Sequence, residues 1–317
     1  MSPVADPVTD GRRRLWRLGA LHLEASAEHP KLSGPLESAC SAFSGSTDQM
    51  VASVILTVSM DMSGARKHND RTPDFALSTG SDGALADSSE AWEATLRPVA
   101  SDGDTPHHYT ADVHFRDLSD EPVVWQRAVE GALRVLVATL APVAGALLLH
   151  GAALVPKGDG AGATVFLGAS GAGKTTMTQR LPTWSRLSDD TVWVAKESGA
   201  WVVRGTPFRG KEGLARNGRA VALERIIFLT PHAENLRLTE VGVGEGYFAL
   251  LQRLLWFCAE KSRTEDVCGR LAAITSDVPL QRLASSLDHD VTKLLLPQSR
   301  SDDGDGHGGQ TARMASC

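Results

Sequence analysis

Residues 168 to 175 read Gly168-Ala169-Ser170-Gly171-Ala172-Gly173-Lys174-Thr175, a match at every fixed position to the pattern G-x-x-x-x-G-K-[ST]. Such a loop makes sense only between a buried strand and a helix, so it restricts the fold strongly. Thr164-Val165-Phe166-Leu167 supplies the apolar run for the strand, and Thr175 to Leu181 supplies a helical segment closed by Pro182. Glycines at 168, 171 and 173 let the backbone curl so that successive N–H groups face one anion. In this geometry Lys174 reaches the β- and γ-phosphates of a nucleotide and the Thr175 hydroxyl holds Mg²⁺, with the positive end of the helix facing the phosphates. Residues Gly168 through Thr176, with Ala169, Ser170 and Ala172 among them, form the expected cradle. A plain glycine-rich turn is the competing reading.

The remaining composition sets wide bounds. A chain of 317 residues has room for one large domain or two smaller ones. A formal charge of -6 gives no reason to expect a nucleic-acid groove or an anionic membrane as partner. The four cysteines, Cys40, Cys258, Cys268 and Cys317, have neither C-x-x-C spacing nor the density of a disulfide scaffold, which favours a cytoplasmic location. Arg12, Arg13 and Arg14 precede mixed polar sequence in which no signal peptide is readable. From Val135 to Val155 the chain is apolar for long enough to imitate a membrane span. Pro142, Gly145 and His150-Gly151 interrupt it, so the expectation is a helix end, a turn and a buried strand.

Residues 1–121 read as a smaller α+β region without evident chemistry. Val51 to Val58 and Tyr109 to Phe115 look like strands, and the Ser/Asp/Gly-rich stretch from Asp61 to Glu90 looks like a long loop or a partly disordered one. His107, His108 and His114 invite a metal reading, but neighbours on a strand point to opposite faces and nothing completes a ligand set. Ser119-Asp120-Glu121-Pro122 carries a helix-start signature. Trp125, Val129, Leu133, Leu136 and Leu140 then recur at helical spacing, as a core-packing stripe does.

Ala146 to Val155 follows as a buried strand with His150 in its middle, and Lys157 to Gly162 is a turn returning the chain to the next strand. A lone buried histidine is ordinarily a satisfied core residue. Downstream, Trp184 to Leu187 reads as a strand that runs into Ser188-Asp189-Asp190, before the β-rich Thr191 to Val194. Two adjacent carboxylates only 15 positions after Lys174 are costly neighbours unless a cation lies beside them. An acidic turn is the plain alternative.

Taken in order, His150-Gly151-Ala152, the Gly168–Thr176 loop and Leu187-Ser188-Asp189-Asp190 resemble the catalytic domain of the HPr kinase/phosphorylase family, and more narrowly its shorter relatives. The motif-bearing likeness spans about residues 145 to 195 and leaves the N-terminal region uncovered. The resemblance implies an ATP- and Mg²⁺-dependent kinase, with Lys174 on the phosphates and Thr175 and Asp190 on the metal. It implies that Asp189 takes the proton from an acceptor hydroxyl, with His150 beside the proton-accepting acid. Three departures stand out. Thr175 replaces the family's usual serine, Thr176 stands where an acidic residue is usual, and Val202-Val203-Arg204-Gly205 lacks the Glu of the family's Glu-x-Arg-Gly segment. These weigh against a second metal, a phosphorylase half-reaction and HPr itself as substrate.

Arg204, Arg209, Lys211, Arg216 and Arg219 face a single acid, Glu212, in a glycine-rich stretch that reads either as a mobile basic lid or as a solvated loop. Further on, Ala220 to Leu229 reads as strand, Tyr247 to Phe257 as an apolar helix, Thr264 to Ile274 as a helix, Val278 to Leu283 as a strand and Leu287 to Leu296 as a last helix. Residues 298–317 are too polar to form a core and read as a disordered tail. The fold class expected is α/β, a P-loop kinase sheet over residues 122–297 behind the N-terminal α+β region. The function expected is γ-phosphoryl transfer from ATP to a hydroxyl, serine foremost, of a protein or peptide. The alternatives are an ATP-binding regulatory module with little turnover and a small-metabolite kinase. An ABC-type ATPase is disfavoured because Leu32-Ser33-Gly34 lies upstream of the loop, in the wrong order for a signature segment.

Overall fold

The structure, a computed structural model, describes residues 14–27, 29–40, 54–62, 76–79, 85–88, 91–99, 107–116, 118, 120–158, 160–208, 217–257, 261–286 and 288–295. The fold is α/β, built on two mixed sheets.

The first part contains β1 (Arg14–Leu18), β2 (Leu21–Ala27), α1 (Pro30–Cys40), β3 (Val54–Asp61), β4 (Ala76–Thr79), β5 (Leu85–Ser88), β6 (Trp92–Val99) and β7 (His107–Phe115). They form a seven-stranded sheet in the order β1-β2-β3-β7-β6-β5-β4, with β2, β3 and β7 mutually parallel. Strands β2, β3 and β7 alternate buried and half-buried residues, because one face packs on a core and the other meets solvent. Against the expectation of a loop from Asp61 to Glu90, β4 and β5 form a hairpin that extends the sheet beside β6. Short strands at and next to a sheet edge are held by backbone bonds rather than by an apolar pattern, which is why composition does not reveal them.

Helix α2 (Pro122–Leu140) starts where Pro122 presets φ, with Glu121 as an extended N-cap that makes no side-chain cap bond. Trp125, Val129, Leu133, Leu136 and Leu140 are all buried. They join a core that includes the first sheet, α1 and residues of the second sheet and its connections such as Leu148, Trp193 and Phe208. Helix α2 therefore packs on the N-terminal region as much as it leads into the second sheet. Burial of each such side chain contributes on the order of 1.5–3 kcal/mol before chain entropy is counted.

The second part contains β8 (Ala146–Pro156), β9 (Ala163–Leu167), α3 (Lys174–Arg180), β10 (Trp184–Ser188), β11 (Thr191–Glu197), β12 (Ala200–Gly205), β13 (Val221–Thr230), β14 (Arg237–Glu240), α4 (Val243–Leu251), α5 (Lys261–Asp277), β15 (Leu280–Ala284) and α6 (Thr292–Leu295). Eight of these strands make the second sheet. Strands β8, β9 and β11 are buried almost continuously, as strands covered on both faces are. Strands β9, β13 and β15 run parallel, so the loops that follow them leave from one edge. No helix among the described residues is long and apolar enough to cross a membrane, and Val135 to Val155 is divided into the end of α2, a turn and β8.

Two helix expectations need correction. The periodicity predicts a helix from Tyr247 to Phe257, whereas α4 runs from Val243 to Leu251. The Gln252 N–H bonds back to Phe248 and Leu250, and the next residues then pair with β8: the Leu255 N–H donates to the Leu148 carbonyl at 2.8 Å, and the His150 N–H to the Arg253 carbonyl at 2.7 Å. Sheet pairing there overrides helical propensity. Trp256 and Phe257 pack against the first core. The predicted helix from Leu287 to Leu296 is a single turn, Thr292–Leu295, with residues 287 and 296 outside the described set.

Candidate active site

Strand β8 changes partners in its middle, and that change builds the site. Its first half pairs with β11, ending with His150 opposite Thr191. Its second half pairs with β10 and, on its other edge, with β9, beginning with Gly151 opposite Leu167, the residue before the glycine-rich loop. Gly151 permits this approach: a Cβ there would lie 2.9 Å from the Phe166 carbonyl oxygen and closer still to the Leu167 side chain. The Gly151 N–H also donates to the Asp190 carbonyl at 2.8 Å. One dipeptide thus ties the β10–β11 turn, which carries Asp189 and Asp190, to the loop that carries Lys174.

That loop curls as the glycines demand, with φ of 79° at Gly171 and 93° at Gly173, a region costly for residues with a Cβ. Lys174 is buried, and its Nζ donates to the Gly168 carbonyl at 2.9 Å and the Ala169 carbonyl at 3.1 Å. An ammonium has three donors. Burial foremost, and then the charge of Arg253, hold its pKa below the usual lysine value, with Asp190 acting the other way. Ser170 and Gly171 are exposed, and the Thr175 and Thr176 side chains are half-buried in the first turn of α3.

Asp190 is the hub. Its Oδ2 accepts from the Thr191 hydroxyl at 2.8 Å and from Arg134 Nη2 at 3.1 Å, and its Oδ1 lies 3.6 Å from His150 Nδ1. The last distance is too long for a hydrogen bond, so that contact is electrostatic. The Asp190 and Arg134 side chains are 17% and 29% exposed, shielded enough for the pair to be worth more than a surface bridge. Arg134 also stands over the Phe208 ring, 5.3 Å from its centroid. Burial foremost lowers the His150 pKa. Asp190 opposes this, while Lys174 and Arg134 reinforce it. Burial thus favours the neutral form of the imidazole.

The structure brings Lys174, His150 and Asp190 together. Asp189 is buried in the same turn, and the Asp190 carboxylate lies beside His150. Two arginines join them that no motif names. Arg134, like Glu130, is a charge set among the apolar residues of α2, a signal that marks a shielded partner once the stripe is taken as core. Arg253 follows α4, and its charge acts on Lys174 because the chain there pairs with β8. Of the basic stretch read either as a lid or as a solvated loop, Arg204 is buried in a pair with Glu197 at 2.9 Å and is part of the sheet. Arg209, Lys211 and Arg216 lie outside the described residues.

Among the described residues no three His, Cys, Asp or Glu side chains gather as a metal cage. Mg²⁺ usually takes one or two carboxylates and completes its shell with water and phosphate oxygens, and a hydroxyl at Thr175 with an acid of the Asp189-Asp190 pair fits that chemistry. A cavity of about 660 Å³ lies at the opposite end of β8 and β9, between the Lys157–Gly162 turn and Trp184, and contains none of these groups. No known family model and no curated protein matches the chain.

Proposed function

We propose that the chain is an ATP-dependent phosphotransferase that moves a γ-phosphoryl group to a hydroxyl of a peptide or protein. The observation that carries this reading is the meeting, at the point where β8 changes partners, of a curled lysine-bearing loop with a shielded carboxylate flanked by a histidine. Backbone N–H groups of residues 168–175 and Lys174 would hold the phosphates. Bound Mg²⁺, on Thr175 and Asp189, would neutralise charge on the phosphate oxygens. Asp190 orients the acceptor hydroxyl and takes its proton as the oxygen bonds to phosphorus and the bond to the leaving diphosphate breaks. This exchanges the two acids relative to the roles the family likeness implies, because His150 and Arg134 both act on Asp190. Positioning and charge neutralisation supply most of the rate in such a reaction.

A peptide is favoured over a small metabolite by α4. Val243, Phe248 and Leu251 are exposed at 54%, 65% and 42%, an apolar ledge on the helix that leads directly to Arg253. The test is incubation with γ-labelled ATP and short serine-containing peptides. Label on the peptide supports the reading. Label released only to water, or left on ATP, removes the transferase and leaves a nucleotide-binding module.

A further inference from the structure

Beside the glycine-rich loop lies a cavity of about 220 Å³ that phosphates would leave unfilled. It begins at Gly171–Gly173 and follows one flank of α3 past Thr176 to Arg180. Met177 and Leu229 line its apolar side, and Pro231, His232, Ser285 and Ser286 line the remainder. The topology explains why these residues meet. The loop follows β9, Pro231-His232 follows β13 and Ser285-Ser286 follows β15, and these three parallel strands end at one edge of the sheet. Ligands of parallel sheets bind at such strand ends.

The lining is braced. The Ser285 N–H donates to the Thr230 carbonyl at 3.1 Å, the Ala233 N–H to the Ser285 carbonyl at 3.3 Å, and Arg180 Nη1 to the Ser286 carbonyl at 3.0 Å. His232 is held at φ 60°, a left-handed conformation that few residues with side chains adopt. Its ring and the hydroxyls of Ser285 and Ser286 have no hydrogen-bond partner among the described residues. An apolar floor, one imidazole face and a few uncommitted polar groups are what a planar heterocycle with a sugar requires.

We propose that this cavity seats the base and ribose of the nucleotide, with His232 against the base and the two serines toward its polar edge or the sugar. The inference rests on reading the glycine-rich loop as the phosphate site. The α-phosphate of a nucleotide on that loop would lie toward Thr176, where the cavity opens. Substrate choice at this site then comes from the loops after β13 and β15, whereas the loop after β9 reads phosphates alone.

The test compares ATP with inorganic tripolyphosphate by calorimetry on the full chain. The wild type is expected to bind ATP at least about tenfold more tightly than tripolyphosphate. His232→Gly, which suits the left-handed backbone and removes the ring, should weaken ATP about tenfold, the lower end for loss of one base-stacking partner, and leave tripolyphosphate unchanged. Ser286→Trp, which fills the cavity, should do the same, with thermal unfolding confirming that both variants fold. Equal affinity for the two ligands in the wild type, or ATP affinity untouched in both variants, overturns the base site while the phosphate site stands. If neither ligand binds the wild type, the phosphate reading falls and this inference with it.

Discussion

The two sheets solve the same burial problem differently. Strands β2, β3 and β7 of the first sheet alternate buried and half-buried residues, whereas β8, β9 and β11 of the second are buried nearly throughout. A one-faced sheet tolerates polar residues on every second position, so a charge there reports little. In a two-faced sheet a polar residue must be compensated, and His150, Ser188 and Thr191 in this sheet each have a defined neighbour. Chemistry collects where burial makes polarity expensive. The first sheet is not idle, however, because α2 packs on it and Arg134 reaches from that helix to Asp190.

The largest effect should come from the second sheet's edge. Lys174→Met keeps the aliphatic stem in its buried seat and removes the ammonium, so nucleotide binding should fall below detection while the melting temperature stays near that of the wild type. Calorimetry and thermal unfolding check both halves, and unchanged binding in a folded variant defeats the phosphate reading. Next comes Asp190→Asn, expected to lower phosphoryl transfer by roughly 10²–10⁴-fold with ATP affinity kept, the range for loss of a general base. Asp189→Asn should instead weaken the dependence on Mg²⁺. The opposite pattern would restore the roles that the family likeness implies.

Arg134 and Leu56 separate the two sheets further. Arg134→Ala removes one partner of a shielded pair and should reduce transfer on the order of tenfold, through Asp190. Leu56 lies fully buried in β3, and Leu56→Ala should cost about 2–5 kcal/mol of stability with the rate per folded molecule unchanged. A rate loss in Leu56→Ala equal to that in Arg134→Ala would mean that the first sheet acts on the site generally, and not through one side chain.

Much of the second sheet is legible in the sequence because its strands are apolar runs bounded by Gly, Pro or paired acids. The loop at Gly168–Thr175 is legible because its residues are adjacent in the chain. Arg253 is not, since the α4 periodicity points to a continuing helix and only the pairing of residues 253–255 with β8 turns the chain toward the site. His232 and Ser285 are hidden for a related reason: they follow different strands and meet only through the parallel order of β9, β13 and β15. In the first sheet, β4 and β5 escape because edge pairing uses backbone groups that every sequence has.

The smallest expected effect concerns His150, where the two accounts of a half-buried polar group separate. As a positioning residue it turns its imidazole toward Asp190 Oδ1, so His150→Ala should lower transfer severalfold with ATP affinity nearly intact, and His150→Asn should lose less. As a core residue it would leave a cavity and unpaired neighbours, so stability would fall and the rate per folded molecule would not. The pH dependence gives a further handle. The folded pKa lies below 6.5, so the unfolded chain binds more protons in the interval between the two values, and stability contributed by neutral His150 is complete above about pH 6.5 and lost as pH falls through the folded value. The same protonation would set the acid limb of the rate profile below pH 6.5. Lys174 and Arg134 both help to hold that value down, so Arg134→Ala should move the limb upward and raise the His150 pKa read from its imidazole NMR signal. A limb that stays fixed in Arg134→Ala while the NMR value rises would separate His150 from the chemistry and return it to the core.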